Sequence, residues 1–115
     1  MSDLRVVEAA GPYTHVALAG RLDAEGVDAV EVAFTGHTVA RRLPTIVDLS
    51  EVTFLASLGM GMILRAARTL KRHDAGLVLL NPPAPVEKAL RNSLLDEVIP
   101  VARGWDEALR LLRVG

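Results

Sequence analysis

Apolar residues recur along the chain with two periods, close to every second residue in some stretches and about every 3.6 residues in others. Period two is typical of strands and the longer period of helices, so their alternation predicts an α/β fold. The first two strand-type stretches, residues 6–9 and 15–19, flank the turn dipeptide Gly11-Pro12. They predict an antiparallel pair near the start of the chain.

Three later stretches also have the character of strands. Residues 45–49 and 77–80 are continuous apolar runs, which are typical of strands buried on both faces. A brief connection is predicted to follow residue 49. Residues 98–101 predict a last short strand.

The two longest helical patterns lie in the middle of the chain. The first is predicted to begin after Asp23, a favourable N-cap residue, because Val27, Val30 and Phe34 follow at i, i+3 and i+7. The second extends over residues 58–73 and has one apolar and one basic side. The apolar side consists of Ile63, Ala66, Ala67 and Leu70, and the basic side of Arg65, Arg68, Lys71 and Arg72.

Two shorter helices are predicted in the C-terminal part. Pro85 is suited to the first position of a helix that runs to about Leu95, and residues 105–112 carry an apolar stripe. Strand and helix therefore alternate after residue 20, which favours a largely parallel sheet with right-handed crossovers. A length of 115 residues fits one domain spanning residues 1–115.

Composition excludes several kinds of chemistry. The chain has no cysteine, which removes disulfides, thiol nucleophiles and cysteine-containing zinc sites. Its longest uncharged run, residues 52–64, is well short of the roughly 20 residues of a membrane-spanning helix. Asp3, Arg5 and Glu8 interrupt any apolar signal segment. We therefore expect a cytoplasmic protein that does not insert into a membrane.

The charge is small overall but unevenly distributed. A net charge of -1 and only four aromatic residues (one Trp, one Tyr, two Phe) disfavour nucleic-acid binding. Residues 1–57 carry 4 basic and 8 acidic side chains, and residues 58–115 carry 9 and 6. The resulting charges of -4 and +3 sum to -1, and the two halves meet near Ser57.

The densest group of candidate functional residues is at the entrance of the second helix. Ser57 places a hydroxyl where unpaired backbone N–H groups favour an acceptor or an anion. The simpler interpretation is that Ser57 is only the helix N-cap. Gly59 and Gly61, which are costly inside a helix, predict a close approach of the backbone to another group or to the sheet beneath.

The sequence gives little support to the interpretation that the protein is an enzyme. The glycines lack the third member of a dinucleotide fingerprint, and the residues around Ser57 lack the first glycine of a hydrolase nucleophile elbow. His15, His37 and His73 do not have metal-ligand spacing. We expect no enzyme activity, no cofactor and no metal; a hydrolase would be labelled at Ser57 by serine-reactive probes.

Taken together, several segments resemble the bacterial anti-sigma factor antagonists of the STAS-domain family, in order and with matching spacing over nearly the whole chain. They are residues 20–23 (Gly-Arg-Leu-Asp), 46–49, 52–61, 85–90 and 107–109. The resemblance implies an α/β STAS fold, a mixed and mostly parallel sheet of about four to five strands flanked by about four helices. It implies that the functional surface surrounds the loop before the second helix.

The same resemblance implies a phosphorylation site. In the family this loop usually reads Asp-Ser-Ser/Thr-Gly, and an anti-sigma factor with serine kinase activity phosphorylates the first hydroxyl residue. That position corresponds to Ser57, and the glycine to Gly59. The acid that usually precedes it is replaced by Ala56, and the second hydroxyl residue by Leu58.

A partner-switching function follows from this resemblance. The unmodified protein would bind the kinase and free the sigma factor, phosphorylation would abolish binding, and a phosphatase would restore it. The implied contact residues are Asp23, Ala56, Ser57, Leu58, Gly59 and Met60, with Asp23 available to a basic group of the partner. The alternative is a STAS accessory or scaffold subunit without a switch, in a signalling complex or a lipid transporter, which Ala56 and Leu58 favour.

Overall fold

The computed structural model describes residues 2–8 and 12–112, and this part of the chain contains a five-stranded sheet in the order β1-β2-β3-β4-β5. The strands are β1 Asp3–Glu8, β2 Thr14–Leu22, β3 Thr45–Leu55, β4 Leu77–Leu80 and β5 Val101–Ala102. β1 pairs with β2 in antiparallel fashion, and the other three pairings are parallel. The predicted antiparallel pair and the mostly parallel mixed sheet are confirmed; Ala9, at the end of the first predicted strand, lies outside the described residues.

Each of the four parallel strands is followed by an α-helix. The helices are α1 Ala24–His37, α2 Ser57–Lys71, α3 Ala84–Asn92 and α4 Trp105–Leu112, with short 3-10 turns at Val39–Arg41 and Leu95–Glu97. Because every helix starts where a strand has just ended, the four helix N-termini lie along one edge of the sheet. We call this the carboxyl edge, and the opposite one, where the parallel strands begin, the amino edge.

The core is divided between the two faces of the sheet, as the alternation of side chains along a strand requires. One face packs against α1, α2 and α3 through the strand residues Val16, Leu18, Val47, Leu49, Leu77 and Leu79. The other face packs against α4 through Ile46, Val78, Leu80 and Ala102. The predicted apolar side of α2 is confirmed, with Ile63, Ala66 and Leu70 buried in the first cluster.

β3 is longer than predicted, and the expected brief connection after residue 49 is wrong. β4 pairs with β3 only as far as Asp48, but β2 continues beside β3 until Leu22 meets Leu55. Two register shifts against β2 interrupt the alternation in this part of the strand. The sequence of this part of the strand therefore lacks a regular two-residue alternation of apolar and polar residues. Its exposed residues are Ser50, Glu51, Thr53 and Phe54.

Two C-terminal boundaries also differ from the predictions. α3 begins at Ala84, with Pro85 in second position, and it ends at Asn92 because Leu94 adopts a left-handed conformation at φ 62. The strand predicted over residues 98–101 is shortened to Val101–Ala102. The N–H groups of Val98 and Ile99 both bond to the Leu95 carbonyl, which holds those residues in a turn.

Candidate functional site

Asp23 joins the end of β2 to the start of α1, as predicted, and its carboxylate is engaged within the protein. The Gly26 N–H donates to Oδ1 at 3.0 Å and the Arg21 Nε donates to Oδ2 at 3.3 Å. The Gly26 hydrogen bond is the main cause that lowers the pKa of Asp23; Arg21 also lowers it and partial desolvation opposes the shift. A basic group of a partner would therefore compete with Arg21 for this carboxylate.

The start of α2 differs from the simpler interpretation of Ser57. Ala56, in an extended conformation, is the N-cap residue, and Ser57 is the first residue of the helix. The N-cap interpretation of Ser57 is thus wrong, because the helix begins at Ser57 itself, one residue earlier than that interpretation requires. The Ser57 side chain is exposed at the carboxyl edge. Because alanine has no side-chain acceptor, the cap residue makes no side-chain hydrogen bond to the first turn.

Backbone contacts tie this helix start to the end of β2. The Ala56 N–H donates to the Leu22 carbonyl at 3.1 Å. A Cβ atom added to Gly59 would lie 2.8 Å from the same carbonyl oxygen and 2.9 Å from both Leu22 Cβ and Leu55 Cδ1. Gly59 is buried, so its missing side chain is what lets α2 approach the sheet. The close approach predicted from the glycine pair is confirmed at this position.

Two large apolar side chains close to Ser57 in the sequence are exposed. Leu58 is 56% exposed, and Phe54, which pairs with Arg21 across β3 and β2, is 41% exposed. The guanidinium carbon of Arg21 lies 4.4 Å from the centre of the Phe54 ring, a cation–π contact. In contrast to the exposed Leu58, Met60 is partly buried and packs against the core.

The structure therefore brings most of the predicted residues to one place. Leu22 is the common neighbour: it precedes Asp23 in the chain, accepts the Ala56 hydrogen bond and contacts the helix at Gly59. Ser57 and Leu58, between Ala56 and Gly59, are exposed. Phe54 and Arg21 were not recognised as site residues in the sequence. An aromatic residue three positions before Ser57 could have indicated a role for Phe54. That indication requires knowing that β3 extends to Leu55, which the sequence pattern does not predict.

The three histidines lie away from Ser57. His15 lies at the amino edge, and His37 and His73 lie at or just beyond the C-terminal ends of α1 and α2. Since α2 has 15 residues and is about 22 Å long, Ser57 at its start and His73 just beyond its end are far apart. Within residues 2–8 and 12–112, no three His, Cys, Asp or Glu side chains are close enough to hold a metal ion.

In a comparison with protein-family models, the chain matches the family described as "Mlab, STAS domain" over residues 6–101. A comparison with curated proteins finds no match. No helix in the described part of the chain is long and apolar enough to cross a membrane.

Solved structures match over almost the whole chain. An anti-sigma factor antagonist from Mycobacterium paratuberculosis has a TM-score of 0.85 at 25% identity, covering 99% of this chain and 96% of that one. The unphosphorylated anti-sigma factor antagonist SpoIIAA has a TM-score of 0.73 at 23% identity, with coverages of 98% and 96%. A phosphorylated form of SpoIIAA, from Bacillus, is also among the similar structures.

A transporter domain has the same fold. The murine anion transporter Slc26a9 matches with a TM-score of 0.72 at 17% identity, covering 92% of this chain but only 18% of the transporter. The same fold thus makes up almost the whole chain of the two antagonists and a small part of a much larger transporter.

Proposed function

The chain belongs to the STAS-domain family, and we propose that it is an anti-sigma factor antagonist whose binding is switched off by phosphorylation of Ser57. One observation carries the proposal: the Ser57 side chain is exposed in the first turn of α2, next to the exposed apolar side chain of Leu58. A kinase can reach such a hydroxyl, and a protein partner can cover such a surface.

Phosphorylation at this position would change binding without unfolding the protein. A phosphoserine carries about -1.5 to -2 charges, which the unpaired N–H groups and the dipole at a helix N-terminus favour. The partner would lose affinity because a dianion would be desolvated against its apolar or acidic groups. A single modification of Ser57 would therefore act on the interface and not on the fold.

The contact surface would consist of Asp23, Ala56, Ser57, Leu58, Gly59 and Met60, to which the structure adds Arg21 and Phe54 as neighbours. Phe54 and Leu58 would supply apolar contact, and Gly59 would act indirectly by holding α2 against Leu22. The partner would be an anti-sigma factor with serine kinase activity, and a phosphatase would reverse the modification. The protein would act in the cytoplasm as one domain, bind no nucleic acid and catalyse no reaction itself.

The experiment is a binding comparison among variants of residue 57. The chain is immobilised as wild type, Ser57→Ala and Ser57→Asp, and each form is incubated with cytoplasmic extract of the native cell. We expect wild type and Ser57→Ala to retain a serine kinase, and Ser57→Asp to retain at least tenfold less of it, which corresponds to about 1.4 kcal/mol. Equal retention by all three forms would contradict the switch.

Ser50→Asp is the matched control, because Ser50 is an exposed serine of β3 and its substitution adds the same charge away from the start of α2. We expect it to bind as the wild type does. Far-ultraviolet circular dichroism of each variant separates loss of binding from loss of folding. Reduced binding by Ser50→Asp as well as by Ser57→Asp would indicate a general effect of charge and contradict a role for Ser57 itself.

A second candidate is a STAS accessory or scaffold subunit without a phosphorylation switch. It is favoured by Ala56, which stands where the antagonist pattern has an acid, and by the description of the matched family model as Mlab. The same binding comparison distinguishes the two functions. Retention of a transporter ATPase or of scaffold subunits, equally by Ser57→Ala and Ser57→Asp, would support this second function.

A further inference from the structure

The exposed side of α2 is continuous from Ser57 to the end of the helix. The buried residues of α2, which face the sheet, are Gly59, Met62, Ile63, Ala66 and Leu70. Ser57 is exposed on the opposite side, and Arg68 is exposed on the same side as Ser57, three turns and about 17 Å further along the helix. A protein that covers Ser57 would therefore also lie against the beginning of this exposed side.

This side of α2 becomes basic after its first two turns. It carries four exposed cationic residues, all within about 80° of Ser57 around the helix axis, which we call the α2 basic stripe. They are Arg65, Arg68 and Lys71, with Arg72 at the C-cap. α2 itself contains no acidic residue, and the next one along the chain is Asp74, beyond the C-cap.

Most of the stripe has no counter-ion. Arg65 is paired, because its Nη2 donates to Oε2 of Glu31 on α1 at 2.8 Å. In the part of the chain that the structure describes, Arg68, Lys71 and Arg72 take part in no ion pair. The stripe therefore presents a positive charge that the rest of the described chain does not neutralise.

The stripe begins within the area that a partner on Ser57 would cover. A standard interface buries about 800 Å² on each protein, which as a flat disc extends about 16 Å from its centre. An interface centred on Ser57 and Leu58 would reach Arg65, about 12 Å along the helix, and its rim would lie near Arg68. The remaining cations would lie within about one Debye length of that rim, roughly 8–10 Å at physiological salt.

We propose that the protein which binds the Ser57 surface carries an acidic surface that lies along the α2 basic stripe. This inference rests on the proposed function, because it takes Ser57 and Leu58 as the centre of the contact. A basic partner surface would be repelled by the unpaired cations, so complementarity requires an acidic one. Asp23, on the other side of the contact, requires a basic group. The partner would thus bind in one orientation, with its basic group at Asp23 and its acidic groups along α2.

The stripe would act mainly on the rate of association. Charges at the rim of an interface attract the partner before contact, whereas the buried centre determines how long the complex lasts. We therefore expect a change at Arg68 to alter the association rate constant and its dependence on salt. The dissociation rate constant would change little.

The probe for the test is the serine kinase that the immobilised wild type retains, used in purified form. Its association with the full-length wild type and with Arg68→Glu is measured by surface plasmon resonance. At about 50 mM salt we expect Arg68→Glu to associate at least about threefold more slowly, and at about 500 mM salt the difference should largely disappear. Arg68→Gln, which removes one charge where Arg68→Glu changes two, should show a smaller effect in the same direction.

Arg110→Glu is the matched control for charge. Arg110 is an exposed arginine in the last turn of α4, which packs on the opposite face of the sheet, and the substitution changes the net charge equally. We expect it to associate as the wild type does, with circular dichroism confirming that all variants are folded. An unchanged association rate in Arg68→Glu, or equal slowing in Arg110→Glu, would overturn the proposal.

The outcome is separable from that of the phosphorylation switch. Normal association of Arg68→Glu together with lost binding by Ser57→Asp would refute the acidic partner surface and leave the switch intact. Slow association of Arg68→Glu with normal binding by Ser57→Asp would do the reverse, and a wild type that retains no protein would refute both. Vesicles of equal parts phosphatidylcholine and phosphatidylglycerol test a lipid surface instead. Binding to them that requires Arg68, with no effect of Arg68 on the kinase, would also overturn the proposal.

Discussion

Gly59 has no side chain, and this allows the start of α2 to pack against Leu22 at the end of β2. A Cβ atom there would be 2.8 Å from a backbone carbonyl oxygen, which cannot rotate away as a flexible side chain can. We predict that Gly59→Ala lowers the free energy of unfolding by about 1–3 kcal/mol, the usual cost of inserting an atom into a packed interior. Urea denaturation measures the change.

Gly61 is the matched control for this substitution. It lies two residues further along α2, and the atom nearest to an added Cβ is Arg65 Nη1 at 3.3 Å, at the end of a long side chain and not in the backbone. Gly61→Ala should therefore raise the free energy of unfolding by about 0.5–1 kcal/mol, because alanine favours a helix over glycine. Similar destabilisation by both substitutions would contradict the specific packing of Gly59.

The carboxylate of Asp23 makes stability depend on pH. Its pKa is lower in the folded protein, chiefly because the Gly26 N–H bonds to it, so the unfolded chain takes up the proton first as pH falls. The stabilisation is present above the ordinary Asp pKa of about 3.9 and is lost as pH falls through the lower folded value. We predict a smaller loss of stability between pH 7 and acid for Asp23→Asn, which still caps α1 but cannot titrate.

Urea denaturation of both proteins at several pH values below 7 checks this prediction. If Asp23→Asn loses as much stability on acidification as the wild type does, the carboxylate is not the titrating group.

Residues with a purely local role were predictable, whereas residues that depend on neighbouring strands were not. Asp23 was identified from the sequence because a cap residue followed by apolar residues at helical spacing defines a helix start locally. Phe54 and Arg21 meet only because β2 and β3 place them side by side. Their contact depends on strand register, which a single sequence does not specify.

At the scale of elements, the helices and the buried strands were predicted better than β3 and β5. The apolar stripe of α2 is long and regular, α1 follows a cap residue and buries Val27, Val30 and Phe34, and β4 is apolar throughout. The second half of β3 contains register shifts and exposed polar residues, which obscure the two-residue period. β5 is reduced to two residues because the preceding turn uses the N–H groups of Val98 and Ile99.

The N-cap of α2 is a place where one substitution should stabilise an element. Ala56 has the extended backbone of a cap but no side-chain acceptor. We predict that Ala56→Asp raises the free energy of unfolding by about 0.5–2 kcal/mol, by accepting a hydrogen bond in the first turn and by placing a negative charge at the helix N-terminus.

Ala56→Asn separates these two contributions, since asparagine supplies an acceptor without a charge. We expect it to stabilise by nearly the same amount at high salt, where the charge is screened. Thermal or urea unfolding of both variants provides the measurement, and no gain in either would mean that the first turn of α2 already has satisfactory partners.

At the scale of the whole molecule, the sheet separates two surfaces of different character. The carboxyl edge carries Ser57 with Leu58 and Phe54, and the amino edge carries a groove between Lys71 and Val98. The family resemblance implies a functional role only for the first surface. The groove was not predicted, because Lys71, Gly76, Val98 and Leu111 are distant in the sequence and are brought together only by the fold.

Phosphate transfer to Ser57 tests the proposed switch most directly. The wild-type chain and Ser57→Ala are incubated with ATP and the purified kinase that the wild type retains, and both are analysed by mass spectrometry with mapping of the modified residue. We predict one added phosphate on the wild type, located on Ser57, and none on Ser57→Ala. An unmodified wild type, or a phosphate that persists on Ser57→Ala, would contradict Ser57 as the residue that controls binding.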